Sequence, residues 1–214
     1  MRKIQVIVGA ALAVLGGAAA SAEDIARQPA QAWEIGPVIR GQNYSVNMPP
    51  SPTPAARGWS FEFPGSGHVD YVTYRTGPLE GASRIVVRYR VDAAPGTGFV
   101  AQDNPEAPAT VSLYFQRGGD NWSGKRGFEH FRWYAPASAI RTLSPGVQEI
   151  SVSLSDPGWT SVQGAPAGSN PDAFAAALAE TDQVGVVFGS SARRGHGVFT
   201  TAPARFTLLS FDIR

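Results

Sequence analysis

The sequence predicts an all-β protein, an antiparallel β-sandwich of jelly-roll type with one short helix near residues 171–180. Three observations carry that expectation. Short segments rich in β-branched and aromatic side chains recur along the chain, bounded by Gly, Pro, Asp and Asn. The 24 Gly and 17 Pro supply many turns, with no Gly-every-third period of the collagen kind. Apolar residues make up 43% against 16% charged, enough to close a sizeable core and too little charge for a disordered tail. At 214 residues a single sandwich domain is expected, since all-β domains run to about 200–250 residues as one unit.

Residues 1–22 read as a signal peptide. Arg2 and Lys3 form a positive start, IQVIVGAALAVL (4–15) is apolar but too short to span a bilayer, and Ala20, Ser21 and Ala22 are the small residues of a cleavage site. Cleavage is expected after Ala22, with no integral membrane segment left in the mature chain, because no second apolar stretch of spanning length follows. The chain has no Cys, so an exported fold must close by burial alone. Of 18 basic residues only Lys3 and Lys125 are Lys. That Arg bias, with abundant Ala and Gly, favours a bacterial periplasmic or secreted protein. A net charge of +1 gives no field to gather nucleic acid.

Residues 23–57 hold Pro29, Pro37, Pro49, Pro50, Pro52 and Pro54, which forbid a long helix and deprive a central strand of donors. They are expected to form an extended arm, with Trp33 and Ile35 tucked onto a sandwich that begins at residue 58. Strands are expected at 58–63, 68–76, 84–92, 110–117, 128–135, 147–154, 183–189 and 204–213. Between the sixth and seventh, Asn170 is placed to cap a helix, Pro171 suits its first turn, Asp172 its positive end, and Phe174 and Leu178 lie four apart on one face. The helix leads into QVGVVFG, a strand apolar enough to be buried on both faces.

Alternate residues of a strand share a face. Ile85, Val87, Tyr89 and Val91 then face the core and Arg88 and Arg90 face away; Val111, Leu113 and Phe115 face in and Tyr114 and Gln116 out; Phe131 and Trp133 face in and His130, Arg132 and Tyr134 out. If these three strands share a sheet, Arg88, Arg90, Tyr114, Gln116, His130, Arg132 and Tyr134 form one face of rings and planar donors. Such a face suits a sugar, whose C–H patches stack on rings and whose hydroxyls need donors and acceptors. The bland alternative is a solvated sheet face. On the sugar reading, Tyr114→Ala weakens binding and hardly changes stability. In the loop GGDNWSGKRG (118–127), Trp122 at the tip is a further binding candidate. Asp120 and Asn121 there offer two oxygens to a structural calcium ion, well short of the six or more in a full shell; no other cofactor is expected.

The run PGWTSVQG, helix, QVGVVFG and GHGVFTTAPARFTLLSFDIR resembles the last third of galactose-binding-like β-sandwich modules found among bacterial carbohydrate-binding domains. The resemblance spans roughly residues 58–214 and rests on order and texture. It implies a short helix before a buried strand, a final strand at 204–213 that closes a sheet, and a carbohydrate partner; it carries no site residue with it.

Catalytic patterns are thin. His68, His130 and His196 are not at metal-binding spacing, His196 lies between two glycines in an expected tight loop, and no G-x-S-x-G or H-E-x-x-H occurs. Three classes remain open: a non-catalytic glycan-binding module, a jelly-roll glycosidase or lyase using Glu129 or His130, and an adhesion domain marked by a large apolar patch. The oligomeric state is not readable from the residues.

Overall fold

The computed structural model describes residues 23–214; the expected leader and its cleavage site lie outside the described residues. Among the described residues no helix is long and apolar enough to cross a membrane. Nine main strands form two sheets: β1 (Trp33–Gly36), β2 (Trp59–Glu62), β3 (Tyr71–Arg75), β4 (Arg84–Ala93), β5 (Thr110–Arg117), β6 (Arg132–Tyr134), β7 (Gly146–Ser153), β8 (Thr181–Gly189) and β9 (Ala204–Ile213). The first sheet runs β7-β4-β9-β2, with Thr53–Pro54 beyond β2. The second runs β6-β5-β8-β3-β1, with Thr160–Ser161 beyond β6. Every pairing is antiparallel. Strands β2 to β9 cross between the sheets in the double Greek-key order of a jelly roll. They are the eight expected strands, and the chain is an antiparallel β-sandwich.

Aromatic side chains fill the space between the sheets. Phe206 of β9 stacks on Phe61 of β2 at 5.4 Å and on Tyr89 of β4 at 5.0 Å, tying three neighbouring strands of the first sheet together. Phe188 of β8 reaches across to Phe61 and Phe206 edge-on. At the other end the single α-helix among the described residues, α1 (Pro171–Ala179), lays Phe174 against Phe115 and Trp133. Asn170 occupies the helix N-cap position but its amide donates to the Pro166 carbonyl, so it makes no side-chain cap.

Two expectations change. Residues 23–57 are part of the sandwich, not an arm beside it: β1 pairs with β3, Glu23–Asp24 pairs with β9 and Thr53–Pro54 with β2. Trp33, Ile35 and Ile25 are fully enclosed, and Trp33 touches Trp59 at 5.1 Å and Phe211 at 5.8 Å. The prolines are tolerated because the segment occupies sheet edges, where unpaired N–H positions are available. The strand expected at 128–135 is only Arg132–Tyr134, because Phe128 to Phe131 close a turn with a Phe131 N–H to Phe128 carbonyl bond.

The two sheets differ in exposure. Strand β4 alternates exposed and buried side chains from Tyr89 onward, whereas β5 is buried at seven consecutive positions. The second sheet is therefore covered on both faces, and its outer cover is where the site lies.

Trp33→Ala is expected to cost about 3–5 kcal/mol of folding free energy, the range for truncating a buried aromatic. A chain starting at residue 58 is expected to lose its cooperative urea transition. A cooperative transition at the original midpoint for that truncated chain would show the N-terminal segment to be an accessory.

Candidate functional site

On the outer face of the second sheet, the register sets Tyr134 beside Tyr114, Tyr114 beside Gly185, and Gly185 beside Thr73. Gly185 has no side chain to fill its place in that row, and a Cβ there would lie 2.2 Å from the Val72 carbonyl oxygen. The Tyr114 ring crosses the gap and its hydroxyl hydrogen-bonds the Thr73 hydroxyl. The Tyr71 and Tyr134 hydroxyls bond at 2.7 Å, and the Tyr71 and Tyr114 rings meet edge-on at 4.8 Å. With Val187 these tyrosines form a second buried cluster, separate from the main core. Burial pushes the Tyr71 and Tyr114 phenols up, so both stay neutral.

The loop 118–131 covers this cluster. Asp120 Oδ1 accepts from the Trp122 backbone N–H at 2.9 Å and holds Trp122 in the left-handed region, φ 66°. The indole then lies edge-on to Tyr71 at 5.2 Å and under the Arg132 guanidinium at 4.3 Å. Arg132 Nη2 donates to the Trp122 carbonyl, and its Nε lies 3.5 Å from Asp120 Oδ2, with the two side chains 5% and 0% exposed. Burial disfavours the Arg132 charge, but Tyr134, Tyr71 and Asp120 outweigh it and raise its pKa. Burial also raises the Asp120 carboxyl, and Arg132 counters this only in part.

Beside Trp122 a cleft of about 550 Å³ stays open. Tyr71 and Tyr134 lie at its base. Trp122 stands on one side, and Tyr44, 44% exposed, follows the hairpin of Val38–Ile39 and Gln42–Asn43 on another. Arg194 and His196 close the rim. At one end His68 Nδ1 and Asp70 Oδ1 are 2.5 Å apart, and Gly197 passes directly over them: at φ 91°, a Cβ there would lie 2.5 Å from that nitrogen and 2.7 Å from that oxygen. The Asp70 bond raises the His68 pKa despite partial burial, while burial pushes the Asp70 carboxyl up against the pull of His68. A larger hollow of about 670 Å³, at the N-terminal edge, has no aromatic ring among the described residues that line it, and so offers a sugar nothing to stack on.

The residues singled out from sequence fall in different places. Trp122, Arg132 and Tyr134 line the cleft, Arg132 with only 4% of its surface exposed. Tyr114 and Gln116 share its sheet face but are enclosed beneath the cover. Arg88 and Arg90 belong to the other sheet, where they are exposed and face Glu149 and Asp92; period two assigns a face within a strand but not a sheet. His130 precedes β6 and stacks on core Trp133 at 5.6 Å, so it does not share a face with Arg132. Glu129 accepts from the Gly127 N–H within the covering loop and is not in the cleft. Asp120 and Asn121 do not converge on a cation, since Asp120 faces Arg132 and Asn121 Oδ1 accepts from the Ser123 N–H. Among the described residues no group of three or more His, Asp or Glu side chains is placed to hold a metal.

Sequence reasoning missed Tyr44, Tyr71 and Arg194, and weighed Asp70 only as a partner acid for Glu129. An unbroken strand at 68–76 would have put Val69 and Tyr71 on one face. The pairing breaks after Val69, which bridges Val198 alone, and Tyr71 turns outward while Val69 stays in the core.

No protein-family profile matches the chain, and no curated protein matches it. One solved structure, described as "xylan-binding module CBM15", is similar at 16% identity and a TM-score of 0.43, over 88% of this chain and 96% of that one.

Tyr114→Ala is expected to cost about 3–5 kcal/mol of stability, the reverse of the small effect expected from sequence, and Tyr114→Phe about 1 kcal/mol through the lost hydroxyl bond. Urea denaturation checks both. His68 has its folded pKa above the unfolded 6.5, so the folded state holds more protons in the window just above 6.5. The stability it contributes is full below pH 6.5 and declines as pH rises through the folded pKa; the raised Asp70 acts in the same direction nearer its unfolded value of 3.8. The melting temperature is expected to fall between pH 6 and pH 8, and His68→Asn is expected to flatten that slope.

Proposed function

We propose that this is an exported, non-catalytic carbohydrate-binding domain whose glycan lies in the cleft between Trp122 and Tyr44. The observation that carries the reading is the pairing of accessible aromatic rings with held planar donors around one opening. Tyr44 and Trp122, the latter with one ring face taken by Arg132, line the opening with aromatic carbon for sugar C–H patches, and Arg194, fixed by the Ala135 carbonyl and the Thr160 hydroxyl, offers further N–H groups to hydroxyls. The cleft volume lies within the range of about 300–1,000 Å³ usual for ligand sites. Arg88 and Arg90, on the opposite sheet, have no part in it.

A second reading rests on the His68–Asp70 bond. A histidine oriented by a carboxylate beside a cleft can act as a general base, which supports a glycan-cleaving enzyme. Glu129 and His130, the residues the sequence offered for that role, lie away from the cleft.

A glycan array on the mature domain, followed by titration calorimetry, tests the binding reading. Tyr44→Ala is expected to weaken binding by about 1–3 kcal/mol, as for a stacked ring at a hot spot, with the melting temperature little changed because Tyr44 is an exposed residue outside the core. Undiminished affinity in that variant, or an array without a bound glycan, overturns it. New reducing ends released from the bound glycan by the wild type and not by His68→Ala would establish the enzymatic reading instead.

A further inference from the structure

We propose that the cleft selects an acidic glycan, with Arg194 holding the carboxylate of a uronic-acid unit; the inference rests on the carbohydrate reading above. The charges around the cleft pair off with one left over. Asp70 is bonded to His68, Asp103 lies 3.8 Å from both His196 and Arg193, and Asp120 faces Arg132. Arg194 is part-buried, yet among the described residues no carboxylate oxygen lies within 4.0 Å of its guanidinium. Its surroundings are neutral: Nη1 donates to the Ala135 carbonyl, Nη2 to the Thr160 hydroxyl at 2.7 Å, and the guanidinium lies 4.9 Å from the Tyr134 ring centre.

A part-buried cation without an anion is costly unless a ligand completes it. Burial accordingly lowers the Arg194 pKa, with Tyr134 and Tyr71 opposing only in part. Two of the five guanidinium N–H groups are engaged by the protein, which leaves three for a ligand. The two existing bonds hold the fork still, so little rotamer entropy is lost when a planar carboxylate is bound.

Position indicates which unit of a glycan would be read. Arg194 and Tyr134 line both the cleft and an adjoining hollow of about 370 Å³ bounded by Ser161 and Gln163. A carboxylate on Arg194 therefore sits where two open spaces meet, with room for sugar units on either side. The site fits an internal uronate of a chain better than a terminal one.

The test compares oligogalacturonate, oligomannuronate and glucuronate-substituted xylo-oligosaccharide with their carboxyl-reduced counterparts, and adds dextran sulfate. At least one acidic form is expected to bind the wild type about tenfold or more tighter than its reduced form. Arg194→Gln is expected to remove that preference, and Arg194→Lys, which keeps the charge but loses the fork, to retain part of it. Should Arg194→Gln fail to fold, the acid-against-reduced comparison on wild type and Arg194→Lys decides. Equal binding of acid and reduced forms, a preference that survives Arg194→Gln, or dextran sulfate bound as tightly as the best uronate overturns the inference and leaves the carbohydrate reading standing. Absence of binding to every probe and to the array overturns both.

Discussion

The contact of the Trp122 indole with Tyr71 and the Arg132 guanidinium is the interaction on which the site depends. Without it the outer face of the second sheet would be a wet surface, and Tyr71, Tyr114 and Tyr134 would be ordinary exposed rings. With it in place the three tyrosines form a second core, and their hydroxyls must find partners within the protein. The loop is held to this task by a short backbone device, the Asp120 carboxylate capping the Trp122 N–H, and by the same carboxylate facing Arg132. One buried acid thus both shapes the loop and offsets the cation beneath it.

Covering most of the sheet face leaves one cleft open beside the loop. Rings and donors that would have been spread over several strands are reduced to a cleft edged by Trp122, Tyr44, His196 and Arg194. Most of its charged groups are already paired and add little net field. Arg194 differs because its partners are a carbonyl, a hydroxyl and a ring face, none of which cancels a unit charge. The local charge at the cleft thus comes from one uncompensated group, while the protein's overall charge is close to zero.

The opposite sheet shows what the same alternation does when no loop lies over it. Arg88 and Arg90 point outward as period two requires and meet Glu149 and Asp92 in water, where such pairs contribute little. The same sequence pattern yields a solvated face on one sheet and a face covered by a loop, with one cleft left open beside it, on the other.

The residues alone determined the eight jelly-roll strands, a helix near 171–180 and the inward set Val111, Leu113, Phe115 and Trp133, because β alternation and turn chemistry act over a few neighbouring positions. Trp122 at the tip of a glycine-rich loop was visible for the same local reason. Tertiary structure decided which strands share a sheet, so that Arg88 and Arg90 parted from Arg132 and Tyr134, and it placed the proline-rich segment at both sheet edges. It also brought Tyr44, His68, Trp122 and Arg194 to one opening from four separate stretches of chain. Such meetings depend on jelly-roll crossings and on how one loop folds back over a sheet, and neither leaves a periodic trace in the residues that meet.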